Sequence, residues 1–362
     1  MTSVRRRLGL GLVAAALAQV GASASNRQDE PRPAPANPPP RTYAPVPAVR
    51  PAPAALRDQI LARARAFDGK AGVALVSLRD GWEIDWNANA LFPQQSCSKL
   101  WVSITALDEV DRGQISLDDK VTLGRGDLTL FHQPIAAKIL GGGHTTTLGS
   151  LMFTAITESD NTANDKLLRS IGGPAAVRDV IARKALGSIR FYNGERALQS
   201  KIAGLIWSPS FSIGNAFYEA RNALPMGVRR AAFERYIADP YDGAAPRAIA
   251  NALARLRRGE LLSPASTRRL LSIMGQTRTG KMRVRAALAP GWDWNHKTGT
   301  GQQLGGRIGG INDIGLLTAP DGSVYAMAIM TIPNRSDGSA QALMQDVTKA
   351  VIAAHQARAR GT

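Results

Sequence analysis

The sequence predicts an α/β (α+β) protein with two lobes: an antiparallel five-stranded sheet flanked by helices, and an all-helical lobe inserted in its middle. Three observations carry this. A helical period and a hairpin come first, a long helical block follows, and three strand-like runs with a closing helix come last. Strands far apart in the chain must then pair, so the simplest packing joins both ends in one sheet and leaves the middle as a second lobe. A cleft between lobes is where a site is expected.

The first segments stand outside that fold. "MTSVRRR" is a basic start, Leu8 to Val20 is a short apolar run, and Ala22 to Ala24 is a small-residue cleavage site. Residues 1–24 therefore read as a secretory signal peptide, with Arg5-Arg6-Arg7 resembling a twin-arginine signal. No cysteine follows the apolar run to carry a lipid, and no later stretch is long and apolar enough to span a bilayer. Residues 25–54 are proline-rich and nearly free of large apolar side chains, as expected of a disordered linker. An exported, periplasmic, soluble and monomeric protein is expected.

Composition narrows the chemistry. Cys97 is the only cysteine, so no disulfide forms within the chain. The four histidines are scattered, and no metal and no other cofactor is expected. Of the net charge of +17, residues 1–24 carry three and residues 25–54 carry two, leaving +12 on residues 55–362. No dense basic run with interleaved aromatics appears, which argues against nucleic acid. Loose association with the anionic cell envelope is the remaining charge-based expectation.

The elements follow in order. "LRDQILARARAF" spaces Leu56, Ile60, Leu61 and Phe67 as a helix does. "AGVALVSL" is a buried strand and "GWEIDWNA" its hairpin partner. From Ser96 to about Ala286 the pattern is mainly helical, beginning with "LWVSITALDEV", apolar all round and ended by Gly113. "WDWNHKTGT", "GGINDIGLL" and "VYAMAIMTI" are strands, and an amphipathic helix runs from about Ser339 to Arg358. The sheet lobe then covers about 55–95 and 287–362, and the helical lobe about 96–286.

"SCSK" places Ser96, Cys97 and Ser98 in a row before Lys99. At a helix start, residues i and i+3 share a face, so the Lys99 amine can reach the Ser96 hydroxyl. A desolvated lysine can accept a serine proton, and a helix N-terminus favours the developing alkoxide. Ser98 has Trp101 three residues on, and Cys97 points about 100° away from the pairing. Ser159-Asp160-Asn161 is a second motif, and Lys297-Thr298-Gly299 on a predicted strand is a third. Ser-x-x-Lys, Ser-Asp-Asn and Lys-Thr-Gly, in this order, are the signature of class A β-lactamases and penicillin-binding proteins.

Over about residues 55–362 the chain resembles the class A serine β-lactamases, whose fold is the two-lobed arrangement above. "TTLGSLMFTAITESDNTAN", "TGKMRVRAAL" and "GGINDIGLL" also look like family segments. The resemblance implies that Ser96 attacks the lactam carbonyl, and that backbone N–H groups of Ser96 and Thr300 form the oxyanion hole. It implies that Ser159, beside Lys297, passes a proton to the leaving nitrogen, and that Asn161 holds the substrate's amide side chain. Thr298, Gly299, Thr300 and Arg283 would bind the substrate carboxylate side, with Arg307 competing for the arginine's role. Phe131 would line the substrate site. Glu195 would activate the hydrolytic water, with Gln199 at the position of the family's asparagine in the Glu-x-x-Leu-Asn pattern.

Two departures matter. Asn193 stands where the family has an arginine, so the usual salt bridge of that loop is absent. Residues 201–244 run roughly thirty residues longer than the family loop, too long for a plain connection. "GVRRAAFERYIAD" supplies a helix there with Phe233 and Tyr236 inward, as a lid or as a peripheral decoration. Competing readings are weaker. "GQTRTGK" has phosphate-loop spacing, but Met282 stands where Ser or Thr should hold magnesium. A D,D-peptidase or esterase of the same fold, and a non-enzymatic envelope-binding module, are the alternatives.

Overall fold

The computed structural model describes residues 51–360. The signal-peptide reading, and the proline-rich reading up to Arg50, lie outside the described residues. Helix α1 (Ala54–Arg65) buries Leu56, Ile60 and Ala64, spaced four apart on one face. Strand β1 (Gly69–Ser77) turns into β2 (Glu83–Trp86) as an antiparallel hairpin with Val73 opposite Trp86. After β3 (Phe92–Pro93) a 3₁₀ turn, Gln95–Ser98, leads into α2 (Lys99–Asp111). The helix thus begins three residues later than Ser96. Gln95 takes a left-handed φ of 54°, and only a tight turn can follow it into the helix. Gly113, at φ 70°, follows the last turn.

The middle of the chain is helical with short ladders. β4 (Lys120–Leu123), α3 (Ala136–Leu140) and β5 (His144–Thr147) lead to α4 (Leu148–Thr157), which is capped by the Thr147 side chain on the Ser150 N–H. α5 (Asn161–Ser170) is capped by Asp160 on the Ala163 N–H, and α6 (Gly173–Arg183) follows. α7 (Glu195–Ile202), α8 (Ala216–Ala223) and α9 (Met226–Ala238) come next, then β6 (Gly243–Ala244), which pairs with β3. α10 (Pro246–Arg257) and α11 (Pro264–Gly275) complete the block.

The chain then returns to the sheet. β7 (Asp293–Thr300) is followed by the small ladder of β8 (Gln303–Leu304) and β9 (Arg307–Ile308), then β10 (Ile311–Thr318), β11 (Val324–Pro333) and α12 (Ser339–Arg360). The main sheet is antiparallel, in the order β2-β1-β11-β10-β7, so strands from both ends of the chain meet at its centre.

Strand alternation sorts two cores. Val73 and Leu75 of β1, with Met327 and Ile329 of β11, face Leu56, Ile60, Met344 and Val347 of the terminal helices. Ala74, Val76, Ala326 and Ala328 face the other way, onto Ile249 and Leu253 of α10. Alanines on that face let α10 lie close. Both faces being covered explains why these strands read as continuous apolar runs. The second core continues without a break into α2, α4 and α5.

Candidate active site

The 3₁₀ turn assembles the first pair. Side chains at i and i+3 eclipse in such a turn, which sets Lys99 against Ser96. Lys99 is fully buried and its Nζ has three acceptors: Ser96 Oγ at 2.8 Å, Asn161 Oδ1 at 2.9 Å, and Glu195 Oε1. Three acceptors match the three N–H donors of an ammonium. The neighbours of Ser96 are occupied otherwise. Cys97 is buried, its Sγ lies 3.6 Å from the Lys297 carbonyl, and burial pushes its thiol up to about 12. Ser98 Oγ donates to the Gln95 carbonyl at 2.8 Å.

Lys297, on β7, is also fully buried. Its Nζ donates to Ser159 Oγ at 2.8 Å and to the Thr298 carbonyl at 2.9 Å. Burial first, and the charge of Lys99 second, bring its amine down to about 7. β7 passes so close to the Gln95–Ser98 turn that a Cβ on Gly299 would stand 2.3 Å from the Gln94 carbonyl oxygen. Only glycine fits there. Thr298 Oγ1 lies 2.6 Å from Thr279 Oγ1, so the "GQTRTGK" segment borders the site rather than a phosphate.

Arg283 reaches along the same strand. Its Nη1 donates to the carbonyls of Gly299 (3.0 Å) and Asn312 (2.5 Å), and its Nη2 to Thr300 Oγ1 (2.5 Å). Burial lowers its pKa. Arg307 instead pairs with Glu234 at 2.7 Å and is not among the residues lining the cleft.

Glu195 is the first residue of α7 and is buried. Its backbone N–H and that of Arg196 donate to the buried Asp165 carboxylate at 2.9 and 3.3 Å. Asp165 is pushed up to about 6, mainly by burial and then by the charge of Glu195. Gly194 makes the bend at φ 86°, where a Cβ would crowd Asp165 Oδ1 at 3.1 Å. Gln199 Nε2 donates to Glu195 Oε2 and to Gln95 Oε1, both at 3.2 Å, and Gln302 Nε2 donates to Gln199 Oε1 at 3.1 Å.

The loop's missing arginine has a substitute. Asn193 accepts from Arg178 at 3.4 Å. The buried Asp242 instead accepts from the Gln95 N–H at 2.7 Å and from Tyr236 Oη at 2.9 Å. Gln95 Nε2 closes the chain by donating to Tyr236 Oη at 2.7 Å. Tyr236 and Phe233 of α9 are both buried.

A cleft of about 580 Å³ is lined by Ser96, Phe131, Ser159, Asn161, Gln199, Arg283, Thr298 and Thr300 among others, with the buried Lys99 and Lys297 hydrogen-bonded to its two serines. Five non-glycine residues among those described have positive φ, and Gln95, Phe131 and Ser159 are three of them, all beside Ser96 or in the cleft wall. Strain collected at one place is a mark of function. The spacing of motifs had no bearing on Tyr218, Arg221, Thr279 or Gln302, which also line the cleft. Nor did it single out Asp165 or Gln95, although the tight approach of Gln95 to Ser96 is implicit in their adjacency.

Two serines in the wall of one cleft at the edge of an antiparallel sheet, each hydrogen-bonded to a buried lysine, with a buried glutamate on the first lysine, belong to a serine hydrolase that works through an acyl-enzyme. A model of the beta-lactamase enzyme family matches residues 55–355. The chain belongs to that family and is a class A serine enzyme. It is similar to Beta-lactamase Toho-1 of Escherichia coli, at 27% identity over 72% of this chain and 76% of that protein. It is 27% identical to a beta-lactamase of Amycolatopsis lactamdurans over 86% of this chain and 89% of that one. Among solved structures, a beta-lactamase from Chitinophaga pinensis superposes with a TM-score of 0.69 at 26% identity, covering 83% of this chain and 99% of that one. An ancestral class A beta-lactamase gives 0.66 at 29% identity, over 83% and 99%.

Proposed function

We infer that the protein hydrolyses the amide bond of β-lactams through an acyl-serine intermediate, and we propose the roles of its residues as follows. The substrate carboxylate lies against Arg283, Thr298 and Thr300, alongside Gly299. Asn161 donates one N–H to the Leu130 carbonyl at 2.9 Å and keeps the other for the substrate's amide side chain. Phe131 borders that side chain. Ser96 Oγ attacks the lactam carbonyl, and its proton leaves through Lys99 towards Glu195. The oxyanion sits between the N–H groups of Ser96 and Thr300, each such donor being worth about 2.7–4 kcal/mol in a transition state. Ser159 gives its proton to the ring nitrogen as the C–N bond breaks, and Lys297 makes up the loss. The proton received by Glu195 passes on through the cleft to recharge Lys297, which restores the carboxylate; Glu195 then takes a proton from the water that cleaves the ester and returns it to the departing Ser96 Oγ.

The observation that carries this reading is the Lys99 amine. It touches the nucleophile Ser96 and the buried carboxylate Glu195 together, so one ammonium joins the groups of acylation and deacylation. Intact-mass spectra after mixing with a penicillin provide the test. The unchanged protein should turn substrate over with little adduct, Glu195→Gln should accumulate one acyl group, and Ser96→Ala should carry none. A long-lived adduct on the unchanged protein would favour a D,D-peptidase of the same fold. General-base help is worth roughly 10²–10⁴ in rate, which sets the size of the Glu195→Gln effect.

Export to the periplasm is proposed on residues 1–24, and loose binding to the anionic envelope on the +12 charge of residues 55–362. Among the described residues no helix is long and apolar enough to cross a membrane. Cell fractionation at low and high salt tests both: the protein should appear in the periplasmic fraction, with more released as salt rises.

A further inference from the structure

Helix α8 is part of the long segment between α7 and α10, and it reaches the cleft. Tyr218 and Arg221, one turn apart, line the same cavity as Ser96 and Asn161. They are fixed from behind. Phe217 is buried, meets Phe131 edge to face at 4.9 Å, and packs against Phe211 at 5.7 Å. Leu130, Ala203 and Phe217 form a small core of their own beneath the helix. Tyr218 completes the wall, 6.2 Å from the Phe131 ring.

The Arg221 guanidinium lies over the rings of Tyr218 (5.2 Å) and Phe217 (5.9 Å). Among the described residues no carboxylate pairs with it, and its buried Nε has no hydrogen-bond partner. Stacking on aromatic faces sets its plane without using its donors. Arg283, the cleft's other guanidinium, spends its donors on Gly299, Asn312 and Thr300. Arg221 is therefore the cation in the cleft wall with donors to spare, and it sits on an aromatic wall shared with Phe131.

We propose that Tyr218 and Arg221 form a subsite for the substrate's acyl side chain, selecting an arylacetyl group that carries a second carboxylate on the carbon next to the ring. This rests on the β-lactamase reading and extends it to dianionic β-lactams. The ring stacks in the Tyr218–Phe131 corner, and the carboxylate on the adjoining carbon takes the free N–H groups of Arg221.

The test compares benzylpenicillin with carboxybenzylpenicillin, which differ by that one carboxylate. The readout is the ratio of their kcat/KM values, carboxylated over plain. In Arg221→Gln this ratio should fall about tenfold, equivalent to about 1.4 kcal/mol. In Arg221→Glu it should fall further, and in Arg221→Lys it should recover in part. Raising the salt should lower the ratio in the unchanged protein and leave it flat in Arg221→Gln. Thermal melts of each variant establish that it is folded. A ratio that stays within twofold across folded variants overturns the subsite while the β-lactamase reading stands. If neither penicillin acylates Ser96, the β-lactamase reading itself fails and the subsite falls with it.

Discussion

Lys297 shows how burial writes chemistry into one residue. Its amine, ordinarily at 10.5, comes down to about 7 because it is enclosed and faces Lys99. The sign follows. The folded protein resists the charged form, so Lys297 costs stability increasingly as pH falls from its ordinary value towards 7. The proposed role needs the ammonium, to resupply Ser159. Acylation measured as kcat/KM should then decline as pH rises through about 7. Lys297→Arg keeps the charge and should remove that limb, at a lower rate throughout because the fork does not match a single hydroxyl. An alkaline limb identical in the variant would reassign it to another group. The Ser96–Lys99 pair was legible in sequence because its spacing is short and fixed, whereas the Ser159–Lys297 pair was expected only from the family resemblance. The value of about 7 was not legible, since it depends first on burial and then on a second lysine that is distant in the chain.

At the scale of elements, α9 and Asp242, just before β6, replace what the loop lacks. The family arginine is missing at Asn193, and the sequence alone left that loop without its clamp. The structure supplies Tyr236, whose hydroxyl donates to a buried carboxylate that burial pushes up to about 6. Tyr236→Phe should cost about 1–3 kcal/mol, the price of a buried acceptor left without its donor. The sign of its pH dependence is set by Asp242. Its folded pKa lies above its ordinary 3.8, so Asp242 costs stability increasingly as pH rises from 3.8 to about 6 and by a constant amount above that. Without the tyrosine that cost grows, and the gap between variant and unchanged protein should widen above that pH. Urea midpoints at about pH 5 and about pH 7.5 measure it, and an equal gap at both would refute the coupling. Helical pattern alone put Phe233 and Tyr236 on an inward face. What they face, a carboxylate and a glutamine beside Ser96, no pattern in the segment shows.

For the whole molecule, the two chain ends guard one face of the sheet. Ile60 of α1 is fully buried in the core that includes Met344, Val347 and Val351 of α12. Ile60→Ala should destabilise by about 2–5 kcal/mol through lost contact and a residual cavity. Because the opposite face of the same sheet is continuous with α10 and the helical core, the loss should appear in one cooperative transition. Far-UV dichroism and β-lactam turnover should be lost together on heating. Turnover that outlasts the helix and sheet signal, or is lost well before it, would show that the site's half folds independently.

Local order is what the sequence determined alone: the strands with their two-residue alternation, the helical periods, the motif serines and lysines, and the spacing of Glu195 to Gln199. These depend on neighbours within a few residues, where backbone geometry is nearly fixed by chemistry. Proximity across the fold was decided only by tertiary structure. It set Glu195 on Lys99, gave Arg283 rather than Arg307 to the cleft, answered Asp242 with Tyr236, and turned α8 so that Tyr218 and Arg221 line the cleft. Such contacts join residues tens to more than a hundred positions apart, and their energy comes from desolvation and charge in an enclosed space, which exists only once the chain has closed around it.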